Sequence, residues 1–274
     1  MISRNVPSAR DIIKSEYVSM WPKQVFGGVA RYGFPVGILT IRTRHALLPG
    51  NAQHAQSFLD PVIYGEVPVL DANALMRGEL SLLLPIIEAA QHLAQQGVRA
   101  IAGACGSFAY YQKPVADALE IPAFLSVLTQ VPFIQRSLGS KKKLCIVCAA
   151  EFSMNDRVFE QSGITDTTNL VIREMKGHAE FDRMMTPTGP MDPSRLQEEV
   201  LQVCTEAMRE ERGIAAFLLQ CSDLPPFGAA IQAATAVPVF DMTLLIRWLQ
   251  SASHYRPYSG MFFSRPLPGW GEQG

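Results

Sequence analysis

The chain has 274 residues, 48% of them hydrophobic and 18% charged, with a formal net charge of −1 at pH 7. This length and apolar content suit one large domain or two smaller ones with an ample core, and they exclude a disordered chain. The near-neutral charge leaves no electrostatic footprint for nucleic acid or an acidic membrane surface. No window nears the roughly 18–20 unbroken apolar residues of a membrane span.

Residues 1–33 read as an irregular arm, partly helical around Asp11 to Ser19. Charges throughout that segment argue against a secretory signal. Five cysteines are an odd number for a disulfide framework, so reduced thiols and a cytoplasmic location are expected. The first strand is Pro35 to Thr43, followed by a long loop with a Pro49-Gly50 turn. A helix is expected within 72–97, where Leu83, Ile86, Ile87, Ala90 and Leu93 recur at helical spacing. Gly97 stops it, and Pro85 marks either a kink or a start near Leu84. Next come the strand VRAIAGA (98–104), a cysteine-bearing loop, a helix over Tyr110 to Leu119 and the strand IPAFLSVL (121–128).

After residue 140 the order begins again. KKLCIVCAA (142–150) reads as a strand, SMNDRVFEQSG (153–163) as a helix and NLVIREM (169–175) as a strand. A long helix follows, with Asp192 as N-cap, Pro193 in its first turn and Gly213 closing it. IAAFLLQ (214–220), a helix, VPVFD (237–241) and a final helix from Met242 complete the chain. Apolar strands alternating with helices predict an α/β fold of two doubly wound parallel sheets. The halves are expected at 1–140 and 141–241, with the segment 242–274 packing back on the first half.

The segments GVRAIAGACGSF (97–108) and GIAAFLLQCSDL (213–224) align without a gap, pairing Gly97 with Gly213, Ala100 with Ala216 and Cys105 with Cys221. The same offset of 116 pairs Ala118 with Ala234 and Pro122 with Pro238, which points to a duplicated half. A single cysteine at a strand end is readily read as a small core residue. A second at the equivalent position favours a functional pair. Each thiol lies between a strand and a helix start, where free N–H groups favour a thiolate or hold a carboxylate. Two thiols facing one bound acid would let one remove an α-proton while the other supplies a proton from the opposite face. Neither a Walker loop nor a GxGxxG fingerprint is present, so no cofactor is expected.

The motifs ACGSF and QCSDLP on duplicated α/β halves resemble the aspartate/glutamate/hydantoin racemase superfamily. That resemblance implies two lobes related by a pseudo-twofold, with the active site in the cleft between them. It places Cys105 and Cys221 on the two catalytic cysteines, and Ser107 and Ser222 on the threonines that follow them. Asp223 falls on an acidic position, and Gly106 replaces an asparagine that helps hold substrate in amino-acid racemases, which sets free aspartate or glutamate in question. The implied function is racemisation or epimerisation of a small carboxylate or related acid by the two cysteines, with Gly106, Ser107, Ser222 and Asp223 placed around the substrate. Relatives with one cysteine are arylmalonate decarboxylases. A maleate-type cis–trans isomerase and a non-catalytic carboxylate binder are the alternatives, and a homodimer is expected from the family.

Thr40 and Thr43 end the first strand, and Thr40 is expected to line the crevice. Cys145 and Cys148 form a CxxC whose side chains point to opposite faces of a strand, and Cys204 lies mid-helix. The histidines at 45, 54, 92, 178 and 254 have no metal-ligand spacing, and His178 is read as a surface-loop residue. The loop after Thr43 and the segment 177–190 are expected to shape the pocket.

Overall fold

In VGILTI, Val36–Ile41 (β1), all six residues are buried, which requires cover on both faces of the strand. The computed structural model describes residues 24–68 and 72–255. β1 pairs in parallel with Val62–Val67 (β2) on one side and Ala100–Gly103 (β3) on the other, and β3 pairs with Ala123–Phe124 (β4). The sheet order is β2-β1-β3-β4. The second sheet repeats it as β6-β5-β7-β8, from Lys143–Cys148 (β5), Leu170–Glu174 (β6), Ile214–Leu219 (β7) and Val239–Asp241 (β8). Helices Ala72–Met76 (α1), Leu83–Gln95 (α2), Gln112–Asp117 (α3) and Val131–Ser137 (α4) accompany the first sheet. Asp156–Gln161 (α5), Ala179–Met184 (α6), Pro193–Glu210 (α7), Gly228–Thr235 (α8) and Met242–Ser253 (α9) accompany the second.

The duplication seen in the sequence is a duplication of register. Ile101 pairs with Ala123 and Phe217 with Val239, both members lying 116 positions apart. The Ile101 N–H donates to the Pro122 carbonyl and the Phe217 N–H to the Pro238 carbonyl, each at 2.9 Å. The prolines lack an N–H of their own, yet both serve the ladder through their carbonyls.

One apolar core contains β1, β3 and α2 and continues through Leu144, Ile146, Cys148 and Leu218 of the second sheet. A second core lies on the other face of that sheet, with Cys145, Val147, Phe217 and Leu219 against α7. The CxxC cysteines are therefore divided between the two cores, as alternation along a strand dictates. α9 packs on β8 and also on β1 and β3.

Several elements differ from their sequence expectation. β2 lies where only a loop was expected; its Gly65 is where a Cβ would come within 2.8 Å of Leu93, so helix α2 can sit close on the sheet. The helix expected within 72–97 is split. Gly78 has φ +64 against the Tyr110 ring, and a left-handed glycine ends a helix. α2 starts at Leu83, so Pro85 sits in its first turn, where no N–H is missed. The strand expected over 121–128 keeps two residues. The Gln112 side chain takes over the Ala123 carbonyl and the Leu125 N–H at 2.8 Å each, and Ser126 then caps the next turn through the Leu128 N–H. Residues 24–33 carry no regular structure, and the helix expected around Asp11 to Ser19 lies outside the described residues, as does everything beyond 255.

Candidate active site

A strand order of the 2-1-3-4 type has its switch point between the two central strands, and ligands bind beyond the carboxyl ends of those strands. Here that rule applies twice. One cavity of about 650 Å³ is lined from the first half by Ile41 at the end of β1, Arg42–His45 after it and Ala104–Ser107 after β3. From the second half it is lined by Ala149 and Ser153 after β5 and Gln220–Asp223 after β7. Cys105, Gly106, Ser107, Cys221, Ser222 and Asp223 thus share one cavity wall. Thr40 is not among the lining residues. It is 8% exposed within β1, and its hydroxyl lies 3.5 Å from the Gly65 carbonyl of the neighbouring strand. Thr43, beyond the strand end, lines the cavity instead. His178 lies outside it, against the Met175 carbonyl at 3.0 Å.

Cys105 is partly exposed and precedes a 3₁₀ turn over Gly106–Tyr111. Burial pushes its thiol up from the usual range, while the Ser107 N–H and hydroxyl pull it back toward thiolate. Cys221 is 7% exposed. Burial raises its thiol well above the usual range, the Asp223 carboxylate adds to the rise while the Asp223 N–H offsets part of it, and the charge of Cys105 raises it further. The two sulfurs therefore feel each other. Cys148 and Cys204 are each pushed up to about 12 by burial, as befits core thiols, and Cys145 rises further for the same reason.

Asp223 is the centre of a polar network that sequence reasoning saw only in part. Its Oδ1 accepts from Asn51 Nδ2 at 2.7 Å and lies 3.1 Å from His45 Nε2, and its Oδ2 accepts from the Cys221 thiol at 3.8 Å. The Gln53 N–H donates to Asn51 Oδ1 at 2.7 Å, which fixes the amide so that its NH₂ faces Asp223. The hydrogen bond to Asp223 raises the His45 pKa above its ordinary value, against a smaller loss from burial. His45 and Asn51 both come from the loop between β1 and β2, which carries no motif, so only the three-dimensional arrangement reveals them.

Gly106 has a physical reason. A Cβ built there would overlap the Gln220 carbonyl oxygen and side-chain amide. Gln220, itself 4% exposed, fills the space that a side chain at 106 would need. At the cavity mouth Arg42 binds Glu66 at 2.7 Å, whereas Arg44 has no carboxylate partner among the described residues. Met185 and Pro187 from the 177–190 segment also line the cavity, and the Thr188 N–H bonds the Arg44 carbonyl at 3.2 Å. Among the described residues no three His, Cys, Asp or Glu side chains are placed to hold a metal, and no helix is long and apolar enough to cross a membrane.

No family model matches the chain. Curated proteins do. A dimethylsulfoniopropionate lyase of Durusdinium sp. clade D is 27% identical over 213 residues, covering 75% of this chain and 70% of that protein. Dimethylsulfoniopropionate lyase 3 of Emiliania huxleyi is 27% identical over 216 residues, again 75% of this chain, but this chain spans only 56% of its length. Among solved structures, a glycine-to-cysteine mutant of arylmalonate decarboxylase superposes with a TM-score of 0.55 at 16% identity, covering 80% of this chain and 93% of that one. Allantoin racemase from Pseudomonas fluorescens gives 0.55 at 14% identity, covering 83% and 100%. Glutamate racemase from Bacillus anthracis gives 0.52 at 14%, covering 80% and 82%. Two four-stranded parallel sheets with alternating helices are thus the fold that this chain shares with the racemases and the decarboxylase.

Proposed function

We propose that this protein is a carbon-acid enzyme in which Cys105 and Cys221 act on the carbon next to a carboxylate, and that its reaction is a β-elimination. The observation that carries the proton-transfer reading is the convergence of the two thiols on one cavity, each at the end of a central strand of its own sheet. The lyase reading rests on the curated relatives, whose names specify dimethylsulfoniopropionate as substrate. That compound has the features the chemistry needs: a carboxylate, an acidic α-carbon and a sulfonium leaving group at the β-carbon.

A thiolate removes the α-proton and becomes a thiol. The C–H electron pair forms the double bond, and the β-carbon–sulfur bond breaks with its pair going to sulfur. Acrylate and neutral dimethyl sulfide result, and no redox partner is needed. The demanding part is the negative charge that accumulates on the carboxylate as the proton leaves. The Ser222 hydroxyl, the Gly106 and Ser222 N–H groups and the Arg44 guanidinium, all on residues that line the cavity, are the donors proposed for it. The second reading, racemisation, is favoured by the same two-sided placement of thiols.

One experiment separates them. The protein is incubated in D₂O with dimethylsulfoniopropionate and with a panel of chiral acids and hydantoins. Release of dimethyl sulfide and acrylate that is lost when a cavity thiol is replaced, in Cys105→Ser or in Cys221→Ser, supports the lyase. Deuterium entering the α-position of a recovered chiral acid, with no elimination, supports the racemase. Binding without either reaction removes both.

A further inference from the structure

The two thiols stand in unlike surroundings. Cys105 has two donors, the Ser107 N–H and hydroxyl, that favour its thiolate, and each outweighs the opposing charge of Asp223. Cys221 has one donor, the Asp223 N–H, but also faces an acceptor, Asp223 Oδ2, at 3.8 Å, whose charge outweighs that donor. Asp223 itself is fixed. Its other oxygen takes the Asn51 amide at 2.7 Å and the His45 imidazole at 3.1 Å, and Asn51, 1% exposed, cannot turn because the Gln53 N–H holds its oxygen. The loop that carries both donors is fastened in turn. The Gly50 N–H donates to Ser57 Oγ, Ser57 Oγ donates to the Asn51 carbonyl, and Thr243 of α9 donates to the Gly50 carbonyl.

We infer that Asn51 and His45 are positioning residues that hold Asp223 as an anion against the Cys221 thiol, so that Cys221 keeps its proton and Cys105 enters the reaction as the thiolate base. The charged and titratable groups facing this network are His45, Cys221, Cys105 and, from β5, Cys148; Arg42, Arg44 and Glu66 lie farther along the same cavity wall. The order of the two thiols follows from the balance at each: Asp223 Oδ2, in direct contact with the Cys221 thiol, opposes its ionisation more than the Asp223 N–H favours it, whereas Cys105 has two donors at Ser107.

The inference deepens the proton-transfer reading and rests on it for what the thiolate does. In an elimination Cys105 takes the α-proton, the leaving sulfide needs none, and Cys105 returns its proton to solvent while Cys221 stays a thiol throughout. In a racemisation Cys221 gives its proton to the opposite face and ends as a thiolate beside Asp223, an anion next to an anion. The asymmetry therefore favours elimination.

The test uses site-resolved alkylation, which needs no turnover. The full-length protein is pulsed with iodoacetamide across a pH series, and mass spectrometry follows the peptides of Cys105 and Cys221 separately. Each profile is read as a midpoint against its own plateau, so that unequal access does not matter. The expected result is a lower midpoint for Cys105 than for Cys221. Asp223→Asn should lower the Cys221 midpoint by about one pH unit, or roughly tenfold in rate at a fixed pH below it. His45→Gln keeps a hydrogen-bonding side chain but removes the charge, and should raise the Cys221 midpoint. Asn51→Ala should shift Cys221 and leave Cys105 nearly unmoved, with Asn51→Gln restoring part of the shift. Coincident wild-type midpoints, or a lower one for Cys221, would overturn the inference without any variant having to fold. If the midpoints divide as expected but no substrate in the D₂O panel reacts, the proton-transfer reading fails while the charge assignment stands.

Discussion

Gly106 shows how one residue can carry opposite meanings in sequence and in space. In the sequence it marks a departure from the racemase pattern and sets an acidic amino acid substrate in doubt. In space it is the contact point for Gln220, whose backbone oxygen and side-chain amide occupy the volume a Cβ would need. The prediction is that Gly106→Asn destabilises the fold by about 1–3 kcal/mol, the usual cost of overpacking, and abolishes turnover. Gln220→Ala should not rescue it, because the carbonyl remains in place. Thermal melting of the single and double variants checks this, and a rescued melting temperature in the double variant would show that the backbone contact is not limiting. Cys105 and Cys221 were readable because the repeat aligned them. His45 and Asn51 were not, since a histidine and an asparagine in a motif-free loop gain meaning only when the fold brings Asp223, more than 170 positions away, to meet them.

At the scale of elements, periodicity found most strands and helices, and it failed where side chains from elsewhere took over backbone partners. Gln112 shortened β4 in this way, and Gly65 hid β2 by interrupting its apolar pattern where Leu93 packs. The element that matters most for the site is α9, whose contribution no local pattern reveals. Its Arg247 donates to the Ser57 carbonyl and its Gln250 to the Asp60 carbonyl, each at 2.9 Å, clamping the loop that carries His45, Asn51 and Gln53. Removing a charge-assisted bond of this kind costs about 1.5–3 kcal/mol. Arg247→Met should therefore lower stability by that order and speed amide exchange in residues 50–58. It should raise KM more than it lowers kcat on whichever substrate the protein turns over. A variant whose exchange changes only within α9 would show that the clamp does not reach the loop.

Across the whole molecule the two halves are tied by packing as well as by the cavity. Ile146 and Leu218 of the second sheet belong to the same apolar core as β1 and β3, so the halves should lose structure together. Ile146→Ala is expected to cost about 2–5 kcal/mol and to speed amide exchange in β1 and β3 as well as in β5 and β7. Exchange that changed in the second sheet alone would mark the halves as independent units. The cavity between them makes a separate, pH-dependent contribution. His45 has its pKa raised by the Asp223 hydrogen bond, so the folded state binds this proton more tightly than the unfolded chain does. The resulting stabilisation is fully present below the unfolded histidine pKa of about 6.5 and is lost as pH rises through the folded value. The melting temperatures of wild type and His45→Gln should accordingly differ most near about pH 6 and converge as pH approaches about 9. A gap that widens with pH would mean that the neutral imidazole, rather than the imidazolium, is the form that Asp223 holds in the folded protein.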